Sequence, residues 1–335
     1  MGHANQKKSH YIMLQFRFSI LLALYFTAFN INAQELFPLN EPASSLPKNT
    51  IGARIFSESY KELDLLRHVE SLRVMYGISA KLTVMGTLSA SNHHSELLPT
   101  DLITHIHIGN NSITNTNTVK RGQPYYYRPN GVNLYSKYRF LSIDDQNRHL
   151  RMAIYGEYSF MRVAHDEAEP NLMDDNKGLG GGLITTWLYK KLATSITLGF
   201  IKPGNYTESQ NNSFTSKTTN TLIKYGDAFK YNLSLGYLVY PKHYSSYKQT
   251  NFNIYLELMG KSYQQATVIQ DGENIKIQTD ALKKGNYMDI RPGIQCIINS
   301  NLRIDFSLGL PLINKSYVNF YPTYFIAIQR YFYLK

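Results

Sequence analysis

Two polar stretches hold the residues best suited to chemistry. His93 and His94 stand side by side, His105 and His107 follow as a His-X-His pair, and His165 opens a run with Asp166 and Glu167 that continues to Glu169, Asp174 and Asp175. Imidazole and carboxylate are the donors a divalent transition metal takes, so His93, His94, His105, His107, His165, Asp166 and Glu167 are the candidate metal ligands. Their spacing matches no established ligand pattern. Loops of His, Asn and Asp are more often simply solvated, and that reading stands beside the first.

A second set is defined by parity. Arg54, Arg73, Lys137, Arg139, Arg151, Lys230, Lys261, Arg291 and Arg303, with Glu58, Glu157, Glu257, Asp289 and Asp305, all fall on the polar side of segments in which apolar residues alternate. Nine basic residues against five acidic ones would favour anions if they lined an aqueous passage. The competing expectation is mutual pairing in a water-poor interior, because buried charges are normally paired.

Nucleophilic catalysis finds little to work with. Ser89 or Ser91 with His93 or His94 is the one Ser-His neighbourhood at the right place for a lipid substrate, and both serines take the polar, inward parity. There is no Gly-x-Ser-x-Gly elbow, phosphate loop or cysteine-based zinc site. Cys296, the single cysteine, sits on an apolar parity and reads as an inert thiol. The expectation is no enzyme and no cofactor.

The elements that must position these residues are strands. Met288, Ile290, Ile294, Cys296 and Ile298 alternate with Asp289, Arg291 and Gln295; Ser300-Asn301 breaks the run, and Leu302, Ile304, Phe306, Leu308 and Leu310 then alternate with Arg303, Asp305, Ser307 and Gly309. That is an antiparallel hairpin with one apolar and one polar face. About twelve such strands follow from residue 50 onward, and their connections alternate short and long until the last, where 311–316 is a brief outer loop. Tight turns fall near residues 79, 144, 190, 241 and 300, and long polar segments cover 92–130, 162–177, 203–225 and 264–285. Sorting of this kind predicts an all-β fold, a transmembrane antiparallel up-and-down β-barrel with short periplasmic turns and long extracellular loops. The charged parity then faces a lumen, and the histidines stand at the outer rim.

The chain start agrees. Lys7, Lys8 and Arg17 lead into an apolar stretch of about eleven residues (19–29) and a small residue, Ala33, as in a secretory signal peptide. The expected organisation is a signal peptide over 1–33, a periplasmic N-terminal lead over 34–49 and the barrel over 50–335. Tyr331, Phe332 and Tyr333 would supply an interfacial girdle at the periplasmic end. The net charge of +11 comes without a basic run or a recognisable nucleic-acid module, so no nucleic acid is expected. The predicted location is the cell outer membrane. The predicted partners are outer-membrane lipid and lipopolysaccharide, the barrel-assembly machinery and small solutes, with Asp166 to Glu169 able to hold cations that bridge lipopolysaccharide.

The phrases Tyr76-Gly-Ile-Ser-Ala-Lys-Leu-Thr-Val84, Asn133-Leu-Tyr-Ser-Lys-Tyr-Arg-Phe140 and Lys177-Gly-Leu-Gly-Gly-Gly182 make the chain similar to Gram-negative outer-membrane barrels grouped as transporters of the phenol meta-degradation pathway. These phrases are hairpin signatures. The resemblance implies a transport or channel role and carries over no binding or catalytic residue. The expected function is an outer-membrane channel or transporter for small anionic or polar solutes. The alternatives are a surface-loop protein binding a ligand or divalent metal on a closed barrel, and a lipid-modifying barrel.

Overall fold

A computed structural model describes residues 37–62, 65–94, 97–98, 102, 125–145, 148–212, 217–243, 246, 248–316 and 320–334. The expected signal peptide, His105 and His107 lie outside the described residues. Among the described residues sixteen strands form: β1 (Thr50–Glu62), β2 (Leu65–Gly77), β3 (Leu82–Ser91), β4 (Arg128–Asp145), β5 (Arg148–Ser159), β6 (Gly178–Tyr189), β7 (Leu192–Pro203), β8 (Tyr206–Asn212), β9 (Lys217–Lys224), β10 (Ala228–Tyr240), β11 (Asn251–Tyr263), β12 (Thr267–Gln270), β13 (Glu273–Ile275), β14 (Gly285–Ile298), β15 (Leu302–Lys315) and β16 (Thr323–Tyr333).

Twelve of them close a barrel in the order β1-β16-β15-β14-β11-β10-β7-β6-β5-β4-β3-β2, every neighbour antiparallel. The seam runs from Thr50↔Tyr333 to Tyr60↔Thr323, so the barrel sheet closes on itself without an edge strand. The faces are inverted relative to a water-soluble protein. On β16, Tyr324, Ile326, Ile328 and Phe332 are exposed while Thr323, Ala327 and Gln329 are buried. Leu72, Val74, Leu88, Leu134, Ile154, Ile196, Phe229 and Ile254 continue the apolar exterior around the wall. Such a surface is stable only against lipid.

Most of the short turns gather at one end of the barrel, where β10 and β11 are joined by residues 241–250, and the long connections gather at the other, together with the two-residue link from β1 to β2 and the link over 316–322 from β15 to β16. Asn299 and Ser300 adopt positive φ (50° and 55°), and Asn301 N–H donates to the Ile298 carbonyl at 3.2 Å, a type I′ turn one residue earlier than the sequence break suggests. The Gly-rich strand β6, whose faces the sequence leaves open, makes room for a ring. A Cβ at Gly182 would lie 2.8 Å from the Tyr155 ring, and one at Gly199 would lie 2.1 Å from its hydroxyl.

Two stretches read as loops are more ordered than expected. Residues 203–225 and 264–285 contribute β8, β9, β12 and β13 to a separate four-stranded sheet at the loop end. Ile223, Tyr225, Val268 and Leu282 bury themselves there with Leu98, Leu102, Ala168 and Leu172. A few apolar side chains spaced among Thr and Asn are enough to give this sheet a core of its own.

The interior is occupied from both ends. Residues 37–49, which the sequence sets apart from the barrel as a lead, run inside its wall at the turn end. Backbone donors of this strap meet strand side chains: Leu39 N and Asn40 N reach Glu257 at 3.0 Å each, Ala43 N reaches Thr186 Oγ1 at 2.8 Å, and Leu46 N reaches Thr83 Oγ1 at 2.9 Å. With no sheet to join, the strap satisfies its backbone on the polar parity of the wall. At the loop end residues 160–177 fold inward. Met161, Ala168 and Leu172 are buried, and the Leu172 carbonyl accepts from Asn133 Nδ2 at 3.2 Å.

Candidate functional site

Between the strap and the inward loop lies a chamber of about 960 Å³. Many of the wall residues that were candidates for a passage lining meet in pairs at or beside this chamber; Lys137, Glu257, Arg303 and Asp305 lie outside its lining. Arg54 meets Asp305 at 3.0 Å and Arg303 meets the same carboxylate at 2.7 Å, while Arg54 also donates to the Pro38 carbonyl. Arg291 holds Glu58 at 2.8 Å and Asp289 at 3.1 Å. Glu157 accepts from Asn133 at 3.4 Å, and Glu257 serves the strap. Lys230 lines the chamber with no carboxylate oxygen within 4.0 Å among the described residues.

Other wall cations are neutralised by residues that do not belong to the wall. Glu41 of the strap takes Arg73 at 2.8 Å and Lys137 at 3.4 Å; Glu169 of the inward loop takes Lys261 at 2.8 Å. Burial alone would raise the Glu41 pKa, but Lys137 and Arg73, with Arg54 and Arg303 further off, hold it below its ordinary value. The strap and the inward loop also reverse the charge balance: ten Asp and Glu line the chamber against five Lys and Arg. Arg139 and Arg151 lie elsewhere. Arg139 donates to the Ala80 carbonyl at 2.7 Å at the turn rim, and Arg151 pairs with Asp144 at 3.0 Å while touching Ser44 Oγ at 3.0 Å.

At the loop end, part of the histidine set converges. His93 and His94 follow β3, and Asp174 and Asp175 precede β6; one donor atom from each of the four lies within 4.8 Å of the others. His93 Nε2 is 3.3 Å from Asp175 Oδ1 and 3.8 Å from Asp174 Oδ2, and His94 Nε2 is hydrogen-bonded to Asp175 Oδ1. His165 Nε2 is 3.9 Å from Asp175 Oδ2 and 3.1 Å from the Glu169 carbonyl. A turn in which Asp175 N and Asn176 N donate to the Asn171 carbonyl, at 3.1 and 2.7 Å, presents both aspartates. Asp166 and Glu167, chosen from sequence as ligands, line the chamber outside this foursome, and Asp174 and Asp175 take that place. The signal was the acidic run itself; which members meet the histidines depended on the turn.

The cluster is electrostatically uneven. Burial, followed by the neighbouring His93 and partly offset by Asp175, lowers His94 to about 4. Burial also raises Asp174 to about 8, reinforced by the charge of Asp175 and opposed by His93 and His165. Asp175 is held well below the usual carboxylate range: His165, His94 and its hydrogen bonds outweigh burial. His93 and His165 are raised, as the nearby carboxylates, Asp175 foremost, overcome burial.

The serines of the Ser-His neighbourhood weighed near His93 have other partners. Ser89 Oγ lies 3.8 Å from Met161 Sδ and Ser91 Oγ pairs with Asn130 at 3.2 Å. A different pair sits on the opposite, outward parity: Ser59 Oγ and His68 Nδ1 at 2.8 Å. Glu70 accepts from Ser57 at 2.7 Å and lies 4.0 Å from that same nitrogen, so no carboxylate orients the far side of the ring among the described residues.

No family model matches the chain, and no curated protein does. Among solved structures it is similar to the COG4313 outer membrane channel from Pseudomonas putida F1, with a TM-score of 0.52 and 12% identity over 89% of this chain and 100% of that one. Its fold is that of an outer-membrane β-barrel. The NanC porin follows at a TM-score of 0.41 and 9% identity, covering 85% of this barrel and 100% of that chain. The β domain of the Bordetella autotransporter BrkA has the same TM-score of 0.41 and 9% identity, covering 84% and 99%.

Proposed function

We propose that this barrel is an outer-membrane channel for small anionic solutes, with carboxylates as the preferred class, closed here by its own strap and inward loop. The observation that carries this reading is the origin of the counter-ions. Arg73, Lys137 and Lys261 are wall residues, and the oxygens on them come from Glu41 and Glu169, which belong to the two segments filling the lumen. Those two side chains occupy the positions that a carboxylate-bearing solute would take. With both segments drawn aside, the chamber keeps its five strand-borne basic residues against four strand-borne acidic ones (Glu58, Glu62, Glu157 and Asp289), and a basic excess lowers the barrier to anions. The sequence resemblance to phenol meta-degradation transporters and the channel-type fold both support transport.

The test is single-channel conductance of the refolded protein in planar bilayers under a salt gradient, for the whole mature chain and for a variant lacking residues 37–49. Rare openings in the former and frequent discrete steps in the latter are expected. Silence from both, with heat-modifiable folding intact, would remove the channel reading and leave the surface-binding alternative.

A further inference from the structure

We propose that His93, His94, Asp174 and Asp175 bind one divalent transition-metal ion of the zinc class at the loop end of the chamber. Two imidazoles and two carboxylates form a donor set suited to zinc, and the nitrogens disfavour calcium and magnesium, which take oxygen ligands. Tetrahedral bonds of about 2.0 to 2.1 Å place donor atoms about 3.4 Å apart. His93 Nε2 already stands 3.3 Å from Asp175 Oδ1 and 3.8 Å from Asp174 Oδ2.

An atom without a partner argues for a ligand over a closed hydrogen-bond network. Asp174 is only 4% exposed, yet its Oδ1 has no hydrogen-bond partner among the described residues. Buried polar atoms are seldom left so, and a bound ion is one explanation for such an atom. Two adjacent buried carboxylates also call for a cation between them. The surroundings supply a supporting shell: the Asn171 turn fixes both aspartates, and His165, held by the Glu169 carbonyl, stands behind Asp175. All four ligands line the chamber, which gives an ion its way in. A bound ion would fasten the inward loop to the end of β3.

The experiment uses the refolded mature chain in detergent, washed with chelator and titrated with zinc chloride by calorimetry, with cobalt(II) absorption reporting coordination geometry. One equivalent is expected to bind saturably, and cobalt should give the visible bands of a low-coordinate nitrogen-oxygen site. Asp175→Asn removes the acceptor of more than one imidazole, so folding could suffer; Asp174→Asn and His93→Gln therefore carry the test, with heat-modifiable mobility as the folding control. Each should weaken binding by more than about tenfold, since losing even an outer-shell partner of a ligand costs about 10- to 100-fold. A double substitution of His105 and His107 should bind as the unaltered chain does. No saturable binding, undiminished affinity in either single variant, or loss in the His105/His107 variant would overturn the assignment. Conductance plays no part, so a failed channel reading leaves this result intact.

Discussion

Arg73 Nη1 and Glu41 Oε1 stand 2.8 Å apart, joining the strap to the second strand of the wall. Lys137 reaches the other oxygen of Glu41 at 3.4 Å and also donates to the Pro42 carbonyl at 2.6 Å. Glu41→Gln should free both cations and cost about 3 kcal/mol of strap docking, the scale for breaking a largely buried pair from one side. Bilayer recordings should then show a higher open probability. Unchanged gating would mean that the strap does not close the pore.

Acid should act on the same contact. The folded-state pKa of Glu41 lies below its ordinary value of 4.5, so the docking it contributes is fully present above that value. It is lost as the pH falls through the depressed folded value, while Arg73, Lys137, Arg54 and Arg303 stay charged. Openings should become more frequent on acidification, and Glu41→Gln should abolish that part of the response. A pH profile identical in both proteins would contradict this.

Position in the lumen should separate two cations that the sequence treats alike. Lys230→Glu, inside the chamber, is expected to move the reversal potential toward cations in the strap-deleted protein. Arg139→Glu, at the turn rim on the Ala80 carbonyl, should move it much less. Equal shifts would place the filter outside the chamber.

Gly77 is a steric test of the strap. A Cβ there would lie 2.0 Å from the Pro47 carbonyl oxygen, a backbone atom that can retreat only if the strap moves. Gly77→Ala should leave the barrel assembled and expose residues 37–49 to added protease. Resistance equal to that of the parent would show that the strap tolerates the intrusion.

Period-2 alternation made the wall legible, because one face meets lipid and the other a polar interior along every strand. Arg54, Arg303 and Asp305 could be assigned inward from parity alone, and they are buried together. Parity says nothing about what faces them. Leu39 finds Glu257 across 218 positions, and His93 finds Asp175 across 82. The strap lacks periodicity because no sheet pairs with it, so nothing in 37–49 marked it as interior. In 203–225 the Asn, Ser and Thr content hid the few apolar residues on which the small sheet rests.

The seam between the first and last barrel strands has a consequence for assembly. Arg54 on β1 and Asp305 on β15 face each other across β16, and the carbonyls of Pro38 and Phe37 accept from Arg54 and Arg303 at that same point. Until the two ends of the sheet meet, neither the Arg54–Asp305 pair nor the point at which residues 37 and 38 of the strap engage both ends exists. Joining the ends and capturing the strap are therefore one cooperative event, and a chain inserted with its strap left outside would have to close over buried arginines missing the carbonyls that complete their solvation.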